Sequence, residues 1–157
     1  MRRRIYAHTE TSFNMNTVRK IVVGIDGSQS SINALAWALS EAKRHSAAVH
    51  VVHVWSLPLA VDPMGGVIFS PVEEFRSAAE GVLKQTLETV KSLAGDTKIT
   101  STVEDGSASQ HLLDAASTAD MVVVGRRGHG GFLGLLIGSV AEQIAHHAKC
   151  PAVIVPL

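Results

Sequence analysis

Short, almost unbroken apolar runs alternate along this chain with longer stretches in which apolar residues recur every three to four positions. The first run, Lys20-Ile-Val-Val-Gly-Ile25, stops at Asp26-Gly27, a turn signal. A run without polar alternation is what a strand covered on both faces requires. Ser28 is placed to cap the helix that follows. From Ser30 to His45, Ile32, Leu35, Ala36, Leu39 and Ala42 form one apolar helical face. Ala48–Trp55 predicts a second strand. Ser56–Pro71 contains three prolines and two glycines and predicts a long loop, suited to covering a site.

Val72–Ala94 predicts one long helix with Phe75, Ala79, Val82, Leu83, Leu87 and Val90 as its stripe, ended by Gly95. Lys98–Glu104 predicts a third strand. Asp105-Gly106 turns the chain, and Ser107-x-x-Gln110 has the form of a capping box opening a helix to about Thr118. Met121–Gly125 predicts a fourth strand, Ser139–Ala148 a fourth helix and Ala152–Val155 a fifth strand between Pro151 and Pro156. Strict alternation of strand and helix calls for an open α/β fold, a five-stranded parallel sheet with helices on both faces and right-handed crossovers. Ligands of such sheets bind beyond the carboxyl ends of the strands, where strand order reverses. Asp26-Gly-Ser, the segment after Trp55, Glu104-Asp-Gly and the stretch after Gly125 all fall on that edge.

Composition narrows the function classes. The 157 residues suit a single domain, and 14 basic against 14 acidic residues give no overall pull towards nucleic acid or an anionic membrane. No apolar run approaches the ~18 residues of a membrane span. Cys150 is the single cysteine, so no internal disulfide framework exists and a cytoplasmic location is expected. Residues 1–17 stand outside the alternating pattern. Arg2-Arg3-Arg4 is not followed by an apolar signal-peptide core, so the segment is expected to be a disordered or extraneous tail. Met15 is a candidate alternative start, and the folded domain is expected over 18–157.

The densest chemistry lies between Gly125 and Ser139, which holds six of the chain's 13 glycines: Gly125, Gly128, Gly130, Gly131, Gly134 and Gly138. A strand, a glycine-rich loop and a helix start bring backbone N–H groups towards an anion. No lysine lies in the stretch, so it is not a Walker loop. A dinucleotide fingerprint starting at Gly128-His129-Gly130 would need glycine where Leu133 stands, and would follow the first strand rather than the fourth. The pattern present is Gly125-x2-Gly128-x9-Gly138-Ser139.

That spacing resembles the ATP-binding signature of the universal stress protein family. Val22-Val-Gly-Ile-Asp-Gly-Ser28, His53-Val54, Val103-x-x-Gly106 and Cys150-Pro-Ala-Val-Ile-Val155 resemble the same family, over about Arg19 to Leu157. The resemblance implies sheet order 3-2-1-4-5, a Rossmann-like arrangement with adenine nucleotide between the first and fourth strands. By position it implies Asp26 at adenine and ribose, Gly24 and Ile25 along the approach, and Val54 on the base. Gly125 and Gly128 would let the backbone close over ribose and phosphates, and Gly138, Ser139 and Val140 would hold phosphate. The remaining loop residues, Arg126, Arg127, His129, Gly130 and Gly131, are candidates for the same site. Arg126 and Arg127 either contact phosphate or are solvated, and Asp26 also reads as a turn residue.

Other polar residues invite simpler readings. His50 and His53 lie three apart on a strand and face opposite ways, and His146-His147 point to different faces of a helix. Neither pair chelates a metal, and none is expected. Cys150 reads as a packed thiol, and Trp37 and Trp55 as core or loop anchors. The resulting expectation is an ATP-binding stress-response or signalling regulator, with or without Mg²⁺. It would act as a homodimer through the C-terminal strand, on a partner the sequence does not identify. Alternatives are a slow ATPase or adenylyl-transferring enzyme, a cyclic AMP binder and a nucleotide-independent scaffold. Catalysis is not expected, because the stretch offers one carboxylate and no assembled nucleophile or base.

Overall fold

The computed structural model describes residues 17–57, 60–61, 64, 67–68, 71–129 and 136–157. Residues 1–16, Met15 among them, and 130–135, with Gly130, Gly131 and the first part of the apolar stretch from Phe132, lie outside them. The elements are β1 (Lys20–Ile25), α1 (Gln29–His45), β2 (Ala48–Trp55), β3 (Ala60–Val61), β4 (Val67–Ile68), α2 (Val72–Thr89) and α3 (Lys91–Ala94). They continue with β5 (Ile99–Asp105), α4 (Ala108–Ala116), β6 (Met121–Gly125), α5 (Ser139–His147) and β7 (Ala152–Val155). The main sheet runs β5-β2-β1-β6-β7, all parallel, which is the order 3-2-1-4-5 for its five strands.

Alternate residues of the strands feed two cores. Ile21, Val23 and Ile25 of β1 pack with Ala34, Leu35, Ala38, Leu39 and Ala42 of α1 and with Leu83 of α2. Val22, Val52, Val122 and Val124 pack on the other face with Leu112 of α4 and with Ala141 and Ile144 of α5. Each fully buried valine, leucine or isoleucine contributes roughly 1.5–3 kcal/mol. β1 and β6 carry no exposed side chain, which is why they read as unbroken apolar runs. Since β1 leads outward to β2 while β6 leads outward to β7, a crevice opens between the carboxyl ends of β1 and β6.

Several sequence expectations need correction. The long helix breaks at Val90: its side chain is 1% exposed, and φ −101°, ψ 6° takes the backbone out of helix there. Core anchoring at that residue turns the chain, and α3 is a single turn beyond it. Between Ser56 and Pro71, Ala60–Val61 pairs antiparallel with Val67–Ile68, so this stretch is not purely loop. On α1, Ile32 packs against the core while half-buried, Ala36 is half-buried, and Ala34 and Ala38 are fully buried core residues that the periodicity did not pick out. Only half of the capping box forms. Ser107 Oγ accepts the Gln110 N–H at 3.4 Å, but the Gln110 amide donates to Asp114 one turn on, at 2.9 Å. α4 ends at Ala116 rather than Thr118, α5 at His147 rather than Ala148, and β5 is shifted one residue later, to Ile99–Asp105.

Candidate ligand-binding cleft

The site begins where β1 stops. Ile25 pairs with His53 of β2, and the Ile25 carbonyl accepts a hydrogen bond from His53 Nδ1 at 2.9 Å. A carbonyl only accepts, so this nitrogen carries the ring proton. His53 is 6% exposed and ties the two strand ends together. Asp26 follows, and the chain reverses at Gly27, whose φ of +81° suits glycine. Asp26 Oδ1 accepts the Ser28 N–H at 2.9 Å, and Ser28 Oγ caps α1 by accepting the Ser31 N–H at 3.2 Å. Ser31 Oγ accepts the Asp26 N–H at 3.2 Å and donates to the Ser28 carbonyl at 2.9 Å. The Asp-Gly-Ser segment is thus both a turn and a helix start, with its carboxylate held in one place.

The second carboxylate oxygen reaches the glycine-rich stretch. Asp26 Oδ2 accepts the His129 N–H at 2.6 Å, and His129 Nδ1 stands 3.8 Å away. Burial pushes the Asp26 carboxyl upward. Hydrogen bonds from Ser28, from the His129 backbone and from Ser31 outweigh it and leave the group below its usual range. A Cβ on Gly128 would collide with Asp26 Oδ2. One on Gly125 would lie 2.8 Å from the Ser30 carbonyl carbon and oxygen. The resemblance implied that these glycines leave room for ligand. In this chain they first leave room for Asp26 and Ser30.

The base of the loop is closed by protein contacts. Arg126 N–H donates to the Val155 carbonyl at 2.8 Å, and the Arg126 carbonyl accepts the Gly138 N–H at 2.8 Å. Gly138 is the N-cap of α5 and offers no side-chain cap, whereas Ser28 and Ser107 cap α1 and α4. Helix geometry leaves the first N–H groups of α5 without intrahelical acceptors, and Ser139, Val140 and Ala141 line the crevice. Their partial positive charge suits an anion.

Between these parts lies a cleft of about 270 Å³. Gly24, Ile25, Asp26, Val54, Gly125, Arg126, Arg127, Gly128, His129, Gly138, Ser139 and Val140 all line it. These are all of the sequence candidates that fall among the described residues. Reading the sequence missed Ser31, Val52, Ala108, Leu112, Val124 and Ala141, which complete the wall. Val52 and Val124 were legible as strand residues one pleat below recognised positions, and Leu112 had no signal beyond helical periodicity. Arg126 and Arg127 are half-buried, and each has its Nε buried with no acceptor among the described residues. Burying such a donor unpaired costs roughly 1–3 kcal/mol, and the two guanidinium groups make this end of the cleft positively charged. One end is charged and rich in N–H groups, and the other, around Gly24, Val52, Val54, Leu112 and Val124, is apolar.

The other singled-out residues lie elsewhere. His50 Nδ1 is 2.9 Å from Thr100 Oγ1, and His146 and His147 are exposed with ring centres 6.2 Å apart. Among the described residues no group of three or more His, Cys, Asp or Glu is placed to hold a metal ion. Cys150 is half-buried and packs against the α4–α5 core, where burial pushes its thiol pKa up. Trp37 packs against the α1 core. Trp55 is half-buried and is not among the residues lining the cleft. No described helix is long and apolar enough to cross a membrane.

Comparison with known proteins agrees with this geometry. The universal stress protein family profile matches residues 17–156. A universal stress protein of Mycobacterium tuberculosis is 34% identical over 134 residues, covering 85% of this chain and 44% of the relative. One from Mycolicibacterium smegmatis is 32% identical over 138 residues, covering 86% and 47%. The chain therefore spans a little under half the length of the curated relatives it matches. Among solved structures, UspA of Lactobacillus plantarum superposes with a TM-score of 0.73 at 20% identity, covering 88% of this chain and 98% of that one. A universal stress protein crystallised in complex with cAMP superposes at 0.67 with 26% identity, covering 89% and 98%. With its profile matched along nearly the whole described chain and its sheet in the same order, this chain belongs to the universal stress protein family.

Proposed function

We propose that this protein is an ATP-binding regulator whose output is a nucleotide-dependent conformation or choice of partner. The observation that carries the reading is the cleft itself. It is apolar at one end and lined at the other by the uncapped start of α5 and by Arg126 and Arg127. A flat apolar base bearing several phosphates matches both ends. Asp26 keeps lone pairs for a ribose hydroxyl or an amino group while it holds the loop. Mg²⁺, where it accompanies ATP, is carried mainly by the phosphates. Titration of the purified protein with ATP, and identification of the nucleotide released on denaturation, test the reading. No copurifying nucleotide and no saturable binding at millimolar ATP would refute it.

A second reading, cyclic AMP as the ligand, draws support from the relative crystallised with cAMP. Two arginines favour the more highly charged ATP over a phosphodiester carrying a single charge, and competition between the two nucleotides decides. The protein is a binder rather than a catalyst in this proposal: Asp26 is the one carboxylate lining the described cleft, and its two oxygens already accept the Ser28 and His129 N–H groups. Multiple turnover of ATP, abolished by Asp26→Ala, would reverse that assignment. β7 is the last strand of the sheet, and no described strand pairs with its outer edge. Pairing of two chains along that edge gives the proposed homodimer, and the working compartment is the cytoplasm.

A further inference from the structure

The apolar end of the cleft is an unfilled part of the α4–α5 core. Every second residue of β1 faces that layer: Val22 fills its share, and Gly24, next along the same face, fills none. α4 supplies Leu112 at this point. Its side chain is 3% exposed and lines the cleft. A Cβ on Gly24 would lie 2.7 Å from Leu112 Cδ1, 3.1 Å from Leu112 Cδ2 and 3.3 Å from Val124 Cγ1. Leu112 is therefore pressed onto bare β1 backbone, in space that an alanine at position 24 would occupy. The φ at Gly24 is not in the left-handed region, so the constraint there is one of space and not of torsion.

We propose that Gly24 and Leu112 form a size filter that sets which base the cleft accepts. This rests on the nucleotide-binding reading above. Charge assigns the phosphates to the end with the arginines and α5, which leaves the base the end with Gly24, Val52, Val54, Leu112 and Val124. Gly24 gives that end its depth, and Leu112 sets where the depth stops. A methyl group at position 24 forces the flexible end of Leu112 to move. Leu112 belongs to the same buried cluster as Ala116 and itself lines the cleft, so the open direction is into the cleft. A shallower slot penalises a two-ring base and spares a one-ring base. A misfit of one methylene in an apolar pocket changes affinity by roughly 10- to 200-fold.

The test is displacement of a fluorescent ATP analogue by ATP and by CTP from the wild type, Gly24→Ala, Leu112→Ala and the double variant, with thermal melts as the folding control. Gly24→Ala is expected to weaken ATP by about tenfold and CTP by less than about threefold. Adding Leu112→Ala removes the collision and returns ATP to within about threefold of the wild type. Leu112→Val replaces Leu112→Ala should the larger truncation unfold the protein. Unchanged ATP affinity in Gly24→Ala overturns the filter. So does an equal loss of ATP and CTP, or a double variant no better than Gly24→Ala. A wild type that binds no nucleotide overturns the functional reading itself, a result distinct from any of these.

Discussion

Gly128→Ala tests the junction on which the cleft depends. Gly128 does not have a left-handed φ, so alanine meets no backbone strain there. The obstacle is steric, because the new Cβ would occupy the position of Asp26 Oδ2. The carboxylate must withdraw, and with it goes the 2.6 Å hydrogen bond from the His129 N–H. A bond to a charged acceptor is worth roughly 1.5–3 kcal/mol. Gly128 and His129 are exposed, so water takes over the freed N–H and the stability loss is expected to fall below that range, at about 1 kcal/mol. For a chain of this size that lowers the Tm by about 2–4 °C. Ligand binding loses more, because the loop must be ordered again at the moment of association. The same 1.5–3 kcal/mol corresponds to a roughly 10- to 150-fold rise in Kd. Calorimetric titration with ATP, paired with a thermal melt, measures both quantities. In an Asp26→Ala background the collision no longer exists, so Gly128→Ala should add less than about twofold. ATP affinity in Gly128→Ala within about twofold of the wild type would refute the reasoning.

Other consequences can be measured separately. The folded-state pKa of Asp26 lies below its unfolded value, so its stabilising contribution is complete above about pH 4 and is lost as pH falls through the folded pKa. Urea melts should therefore show Asp26→Asn less stable than the wild type at pH 7, with the gap narrowing below about pH 4; a gap independent of pH would contradict this. Arg126→Gln and Arg127→Gln should each weaken ATP by about tenfold and AMP by clearly less, as expected for charge-assisted bonds to the outer phosphates. Equal losses for both nucleotides would remove the arginines from the phosphate end. Pro151 and Val155 direct their carbonyls at β6, so strand alternation turns the backbone N–H of Ala152 to the outer edge. Ala152→Pro should leave the fold intact and weaken dimerisation by about tenfold or more in light scattering; an unchanged dimer would exclude pairing through β7.

Much of the architecture was legible because β1, β2 and β6 are parallel strands buried on both sides, and such strands announce themselves as apolar runs. Ser28 was legible as a cap because capping is local. The break at Val90 was not, since helical periodicity continues through it and only the position of the core gives the chain reason to turn there. Gln110 was misassigned for a similar reason. Asp114, one turn on, competes for its amide, and the spacing of Ser107 and Gln110 does not include that competitor.

The glycine-rich stretch divides the same way. Its order, Gly125-x2-Gly128-x9-Gly138-Ser139, determined that a strand, a loop and a helix start follow one another with side chains removed where backbone comes close. What comes close was decided by the tertiary structure: Ser30 against Gly125, Asp26 against Gly128, and the Arg126 carbonyl on the N–H of Gly138, just as it placed Leu112 over Gly24 in β1. His129 and Asp26 are 103 residues apart in sequence and 2.6 Å apart in space. Local sequence determines torsions, periodicity and caps, because these depend on near neighbours. The partners of each bare backbone position are set by how the helices pack across the sheet, and that depends on the whole chain at once.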